Sequence, residues 1–202
     1  YIGKQKQPWY DAIPYLVNHA KRKRLKFEQQ TYELNENGKR QLLKHIYYYA
    51  ITKDSKERDE LVKTLQEQTR TRLPERISDE DAFLTWKEAK VMQGLISFGA
   101  HTASHPILPN ETYEKQLQEL EKSRDEITKH LGKRPLSICY PNGDYDEKTI
   151  KASKEAGYRL GFSSNFGLNN QDINPYLVQR IGANILDTPE ILAVKLSKLS
   201  RL

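Results

Sequence analysis

Phe98-Gly99-Ala100-His101-Thr102-Ala103-Ser104-His105-Pro106 decides how this chain is read. The apolar run Leu95-Ile96-Ser97-Phe98 has the composition of a buried strand, and Pro106 closes the turn that follows it. Two imidazoles four positions apart, leaving the end of a strand, can converge on one divalent cation. A catalytic zinc site takes three protein ligands, often two histidines and a carboxylate, and keeps a fourth position open for water. A closed structural site usually needs four thiolate-rich ligands, and the single cysteine, Cys139, excludes the zinc-finger spacings. On spacing alone, two histidines in a polar loop fit hydrogen-bonding surface residues better than they fit metal ligands.

Downstream the chain alternates. A helix is expected from about Glu111 to Leu131, a strand near Leu136 to Tyr140, a helix from Glu147 to Ala156 and a strand from Tyr158 to Phe162. After a loop rich in glycine and asparagine come a strand at Leu177 to Ile181 and a last helix starting near Thr188-Pro189-Glu190. This order implies a parallel sheet with crossover helices. In barrels built that way, functional side chains collect at the C-terminal ends of strands, where both histidines fall. Just upstream, Leu84 to Gly94 reads as a helix with Thr85 as N-cap, Glu88 at the capping-box position and Gly94 as its stop.

Further toward the N-terminus the period is helical. Ile13, Leu16, Val17 and Ala20 predict a helix from Trp9 to about Arg24, with the cations Lys21-Arg22-Lys23-Arg24 suited to its C-terminal end. Leu25-Lys26-Phe27 and Thr31-Tyr32-Glu33-Leu34 alternate like a short hairpin. Leu42, Leu43, Ile46, Tyr47, Tyr49 and Ala50 mark a second helix, and Leu61, Val62 and Leu65 a third. Consecutive helical residues point in different directions, so Tyr47-Tyr48-Tyr49 is expected to pack in the core and not to form a stacking platform. A polar loop from Thr69 to Asp81 ends this block.

The 202 residues suffice for one sizeable core, and a single domain over residues 1–202 is the expectation, with a helical insert at 9–76 and a βα portion at 84–202. The formal charge of +6 arises from 33 basic against 27 acidic residues, so the surface is mixed in sign and no nucleic-acid partner is expected. The alternative, a nucleic-acid binder using Lys21 to Arg24, lacks an accompanying aromatic or glycine-rich motif. No run approaches the roughly eighteen apolar residues of a membrane span. One cysteine fits a reducing cytoplasm and equally a bacterial envelope, which leaves the compartment open. Tyr1 is first and Met92 is the only methionine, so further chain is expected upstream.

These residues resemble a known family, the polysaccharide deacetylases sharing the NodB homology domain, carbohydrate esterase family 4. His101-Thr102-Ala103-Ser104-His105 is similar to the family's His-Ser/Thr-x-x-His metal motif. Tyr140-Pro141-Asn142-Gly143-Asp144-Tyr145 is similar to its Tyr-Pro-x-Gly-x-Tyr segment, and Ala156-Gly157-Tyr158 to its Ala-Gly-Tyr. Tyr1-Ile2-Gly3 and Pro8-Trp9-Tyr10-Asp11 resemble the segment after the second barrel strand, and Leu84-Thr85-Trp86 the lead-in to the metal strand.

The resemblance implies a distorted (β/α) barrel, incomplete at the N-terminus and carrying the helical insert. It implies a hydrolase of carbon–nitrogen but not peptide bonds, removing N-acetyl or sometimes O-acetyl groups from a polysaccharide or glycan with a divalent metal, commonly Zn2+. It makes His101 and His105 metal ligands, and Tyr140, Pro141, Asn142 and Gly143 the substrate-binding turn. The Asn142 backbone N–H would support the oxyanion, because Pro141 has none. The family's paired aspartates, third ligand and catalytic base, are expected upstream of Tyr1, which makes this the C-terminal portion of a larger enzyme.

Two departures follow. Cys139 stands where the family carries an arginine, and Arg180 is the expected substitute for supporting the catalytic carboxylate. The Leu-x-Leu-x-His near the family's C-terminus has no histidine in Ile191-Leu192-Ala193-Val194-Lys195-Leu196. Either the aspartate also serves as acid or activity is low, and a catalytically inactive glycan-binding domain is the alternative. The insert is expected to shape one wall of the cleft or an oligomer contact.

Overall fold

The computed structural model describes residues 7–77 and 82–197. Tyr1-Ile2-Gly3 and the end of the loop expected from Thr69 to Asp81 lie outside them. The chain divides into two compact units: a helical unit, of the described residues up to Gly94 with Ser104–Glu111, and a βα unit, of Leu95–Ala103 with the described residues from Thr112.

In the helical unit, α1 (Trp9–Asn18) buries Ala12, Ile13, Leu16 and Val17 along one face. It stops short of the expected end at Arg24. Lys21 to Lys23 lie in bends, and Arg24 instead opens β1 (Arg24–Phe27), since Leu25 and Phe27 are buried at the two-residue period of a strand. β1 pairs antiparallel with β2 (Gln30–Glu33), and Arg24 forms an ion pair with its cross-strand partner Glu33. α2 (Glu36–Ala50) starts where the Asn35 side chain accepts the Gly38 N–H, and α3 (Ser55–Thr69) starts at a capping box of Asp54 and Glu57. α1, the hairpin, α2 and α3 close one apolar core around Leu16, Leu42, Ile46 and Leu65, each fully buried. α4 (Trp86–Met92) carries the expected Thr85/Glu88 capping box.

Tyr47 and Tyr48 are 51% and 56% exposed, against the expectation of core packing. At roughly 100° per residue only one of three successive side chains can face inward, and it is Tyr49, edge-on to Phe27 at 5.4 Å.

Ser104–Glu111 is tied to the same helices. Asn110 Nδ2 donates to the carbonyls of Ile51 at 2.7 Å and Lys53 at 3.1 Å, just past the end of α2. Glu111, expected to begin a helix, instead caps α3: its carboxylate accepts the Ser55 N–H at 2.7 Å and the Ser55 hydroxyl at 3.2 Å, and lies 3.6 Å from Arg58. An anion is favoured at a helix N-terminus, where unpaired N–H groups point at it.

In the βα unit, α5 (Tyr113–Leu131) is capped by Thr112 and ended by Gly132 in the left-handed region. β3 (Ser137–Cys139), α6 (Glu147–Glu155), β4 (Leu160–Phe166), β5 (Val178–Arg180) and α7 (Pro189–Leu196) follow in the expected alternation. The sheet is parallel with order β3-β4-β5, and Ile138 faces Gly161 in register. The architecture is mixed α/β, and the described strands do not close a barrel. Buried polar pairs join the helices: Thr149 donates to Gln116 at 2.7 Å, and Tyr158 Oη donates to the Leu120 carbonyl at 2.9 Å.

The buried strand expected at Leu95 to Ala100 is reduced to one bridge, Ala100 to Ile138. Leu95 is 90% exposed and Ile96 45%. Among the described residues nothing pairs with the other edge of this segment, so only its last residue, held by the Ala100–Ser137 and Cys139–Ala100 bonds, keeps strand pairing.

Candidate metal centre

His101 leaves the sheet one residue after that bridge, and its ring is fixed by the neighbouring strand. Its Nδ1 lies 2.7 Å from the Cys139 carbonyl oxygen, which can only accept. Nδ1 therefore carries a proton and donates it to that carbonyl, which fixes the orientation of an exposed imidazole. A histidine that binds a metal through one nitrogen characteristically anchors the other this way.

The loop beyond is held by a residue that sequence reasoning missed. The Ala103 N–H donates to the carboxylate of Glu119 at 3.1 Å, from the buried face of α5, and Lys115 Nζ lies 3.2 Å from the other oxygen. A glutamate beside Leu120, on the helix face that carries Leu120, Ile127 and Leu131, was the available signal.

Thr102 and His105 both have left-handed backbones, with φ of 63° and 57°. That region costs an L-residue roughly 1–2 kcal/mol and is least tolerated by β-branched threonine. Strain kept in a loop of this composition is typical of functional sites. His105 belongs to the helical unit, where its ring meets Tyr10 edge-on, with centroids 5.2 Å apart and planes at 64°. His101 belongs to the βα unit. Among the described residues, no group of three or more His, Cys, Asp or Glu side chains gathers to hold a metal ion.

The Tyr140-Pro141-Asn142-Gly143 turn follows β3 directly. It is closed by Gly143 N–H donating to Tyr140 O at 2.9 Å and Asp144 N–H to Pro141 O at 3.1 Å. Asn142 sits in it at φ 56° and is exposed, and no protein acceptor takes its N–H among the described residues. Gly143 has φ +81°, and a Cβ there would lie 2.1 Å from Ser164 Oγ, so only glycine fits.

Of the four residues expected at the substrate, Asn142 alone is exposed. Pro141 and Gly143 are buried, and Tyr140 is a core residue whose hydroxyl donates to the Tyr176 carbonyl at 3.0 Å. Burial pushes the Tyr140 hydroxyl up to about 12. Arg180 is exposed at the end of β5, with Nε donating to the Ser163 carbonyl at 2.7 Å. Among the described residues no carboxylate pairs with it.

The polysaccharide deacetylase family model matches residues 48–161, more than half of the chain, which therefore belongs to that family. YxkH of Bacillus subtilis (strain 168) is 31% identical over 99 residues, 48% of this chain and 36% of YxkH. The structure of Streptococcus pyogenes deacetylase PplD in complex with acetate superposes with a TM-score of 0.56 at 29% identity, covering 59% of this chain and 53% of PplD. A polysaccharide deacetylase from Bacillus cereus superposes with a TM-score of 0.52 at 26% identity, over 59% of this chain and 38% of its own. This chain thus spans from about a third to about half the length of these relatives.

Proposed function

We propose that this protein is a metal-dependent deacetylase that hydrolyses N-acetyl, or O-acetyl, groups on a polysaccharide. The observation that carries the reading is the hydrogen bond between His101 Nδ1 and the Cys139 carbonyl, which holds the tautomer a metal ligand needs. His101 and His105 would hold the cation, with zinc the best match to two imidazoles. When bound, it supplies Lewis-acid polarisation of the acetyl carbonyl and lowers the pKa of water.

The chain's own groups contribute the rest. The Asn142 N–H, in a turn locked by Gly143 and Pro141, offers a donor to the negative charge that develops on the carbonyl oxygen. Glu119 holds the loop between the two histidines by its bond to the Ala103 N–H. Arg180, with one N–H spent on Ser163, keeps the remaining guanidinium donors for a carboxylate.

Acetate release from an N-acetylated glycan, together with zinc content, tests this. The native protein is expected to release acetate and to lose that activity on chelation. His101→Ala is expected to lower both zinc content and rate by about a hundredfold or more, the upper range for disturbing a metal shell. Acetate release that survives both chelation and His101→Ala would sink the proposal.

A further inference from the structure

Beside His105 the helical unit carries a small aromatic cavity that the proposed chemistry does not use. It measures about 220 Å3 and is lined by Trp9, Tyr10, Ile13, Pro14, Leu43 and Tyr47. Trp9 and Tyr47 lie nearly parallel, with centroids 6.5 Å apart at 24°, and Tyr10 meets Trp9 edge-on at 5.8 Å. The other side of Tyr10 meets the His105 ring, so this cavity and the candidate metal ligand share one side chain.

The indole is held from beneath. The Arg58 guanidinium lies 5.3 Å from the Trp9 ring centroid, and Arg58, 1% exposed, is fixed by Glu111 at 3.6 Å. Burying such a pair costs several kcal/mol of desolvation, so it is a poor device for stability alone. It is a good one for holding an aromatic ring in a single orientation. Tyr47 is the opposite case: half exposed on the surface of α2, it leaves the cavity open to solvent. The Trp9 indole N–H is buried and has no protein acceptor among the described residues.

We propose that this cavity is a sugar subsite, holding one pyranose ring of the polysaccharide next to the residue that is deacetylated. This rests on the reading of the protein as a deacetylase. A pyranose presents axial C–H groups on one face, which pack on the electron-rich faces of Trp and Tyr, while its hydroxyls stay hydrated at the open side. The volume is below the roughly 300–1,000 Å3 usual for drug-sized pockets, so it suits a single ring. Among the described residues no charged side chain lines it, which argues for a neutral sugar ring over an anionic ligand.

Deacetylation of an N-acetylglucosamine tetramer and of the N-acetylglucosamine monosaccharide by Tyr47→Ala and Trp9→Phe variants tests the subsite. Tyr47→Ala is expected to raise KM for the tetramer roughly tenfold, the loss of one ring contact worth about 1.4 kcal/mol. Its kcat, and both constants for the monosaccharide, should hold within about twofold, because a subsite acts on binding of the longer substrate alone. Trp9→Phe, which keeps a ring, should lose less. Equal losses on both substrates would show a structural role, and no loss on either would show no role; both overturn the subsite. If no variant or native protein releases acetate, the deacetylase reading fails by itself. Quenching of Trp9 fluorescence by the tetramer in a Trp86→Phe background then decides the subsite, and no quenching overturns it.

Discussion

In the helical unit most of the deepest side chains are aliphatic, with Leu16, Leu42, Ile46 and Leu65 fully buried in one continuous core. In the βα unit several of the deepest are polar and hydrogen-bonded, namely Tyr140, Tyr158, Gln116 and Thr149, while Leu95, Ile185 and Leu186 stand 82% or more exposed. The first unit is stabilised mainly by apolar area, at about 25 cal/mol per Å2 removed from water. The second depends more on satisfied polar groups, each costly to leave unpaired. Arg58 with Glu111, a buried ion pair among the described residues of the helical unit, is an exception to its mostly apolar plan, and Arg58 packs against Trp9 of the aromatic cavity.

That exception carries the largest expected effect. Arg58→Ala leaves the Glu111 carboxylate buried without its main cation, and thermal or denaturant unfolding should show a loss of about 3–5 kcal/mol. Arg58→Met combined with Glu111→Gln should recover most of it. If the double variant is no better than the single, the pair is not the coupled unit described.

The polar plan of the βα unit predicts an alkaline limit of intermediate size. Tyr140 is held neutral by burial, with its pKa raised from 10.0 to about 12, and burial pushes Tyr158 upward as well. A raised pKa contributes stability that is complete below the unfolded value and is lost as pH rises through the folded value. Stability should therefore fall between pH 10 and about 12. Tyr140→Phe, costing about 1–3 kcal/mol at neutral pH through the unpaired Tyr176 carbonyl, should flatten that fall. An unchanged alkaline limb in the variant would assign the loss to other groups.

The smallest effect is expected at the exposed strand approach. Leu95→Asp changes a side chain that is 90% exposed, and should alter unfolding free energy by less than about 0.5 kcal/mol while lowering aggregation. A larger loss would mean that Leu95 is buried in solution, for example against a second copy.

Local signals explain what was legible. The Thr85 cap with Glu88, and the Asn142-Gly143 turn, use hydrogen bonds within a few residues, so their chemistry shows in the order of side chains. The alternation of strands and helices after Ala100 appeared for the same reason. Leu95-Ile96-Ser97-Phe98 misled because an apolar run specifies a wish for burial and not a partner, and pairing on both edges comes from distant segments. Glu111 misled because its role depends on α3, more than forty residues earlier. Glu119 was not singled out at all, and Tyr10 only as part of a family segment, since each acts on the histidine loop across a gap in sequence.

The order of residues alone settled the family motifs, the Thr85/Glu88 cap and the alternating βα plan, because these rest on contacts spanning a turn or two of chain. Tertiary structure alone decided which nitrogen of His101 bonds the Cys139 carbonyl, which of the turn residues faces solvent, and that two of three consecutive tyrosines are exposed. Those outcomes follow from burial and from hydrogen bonds such as His101 to Cys139, 38 residues apart, and separations of that kind carry no local signature.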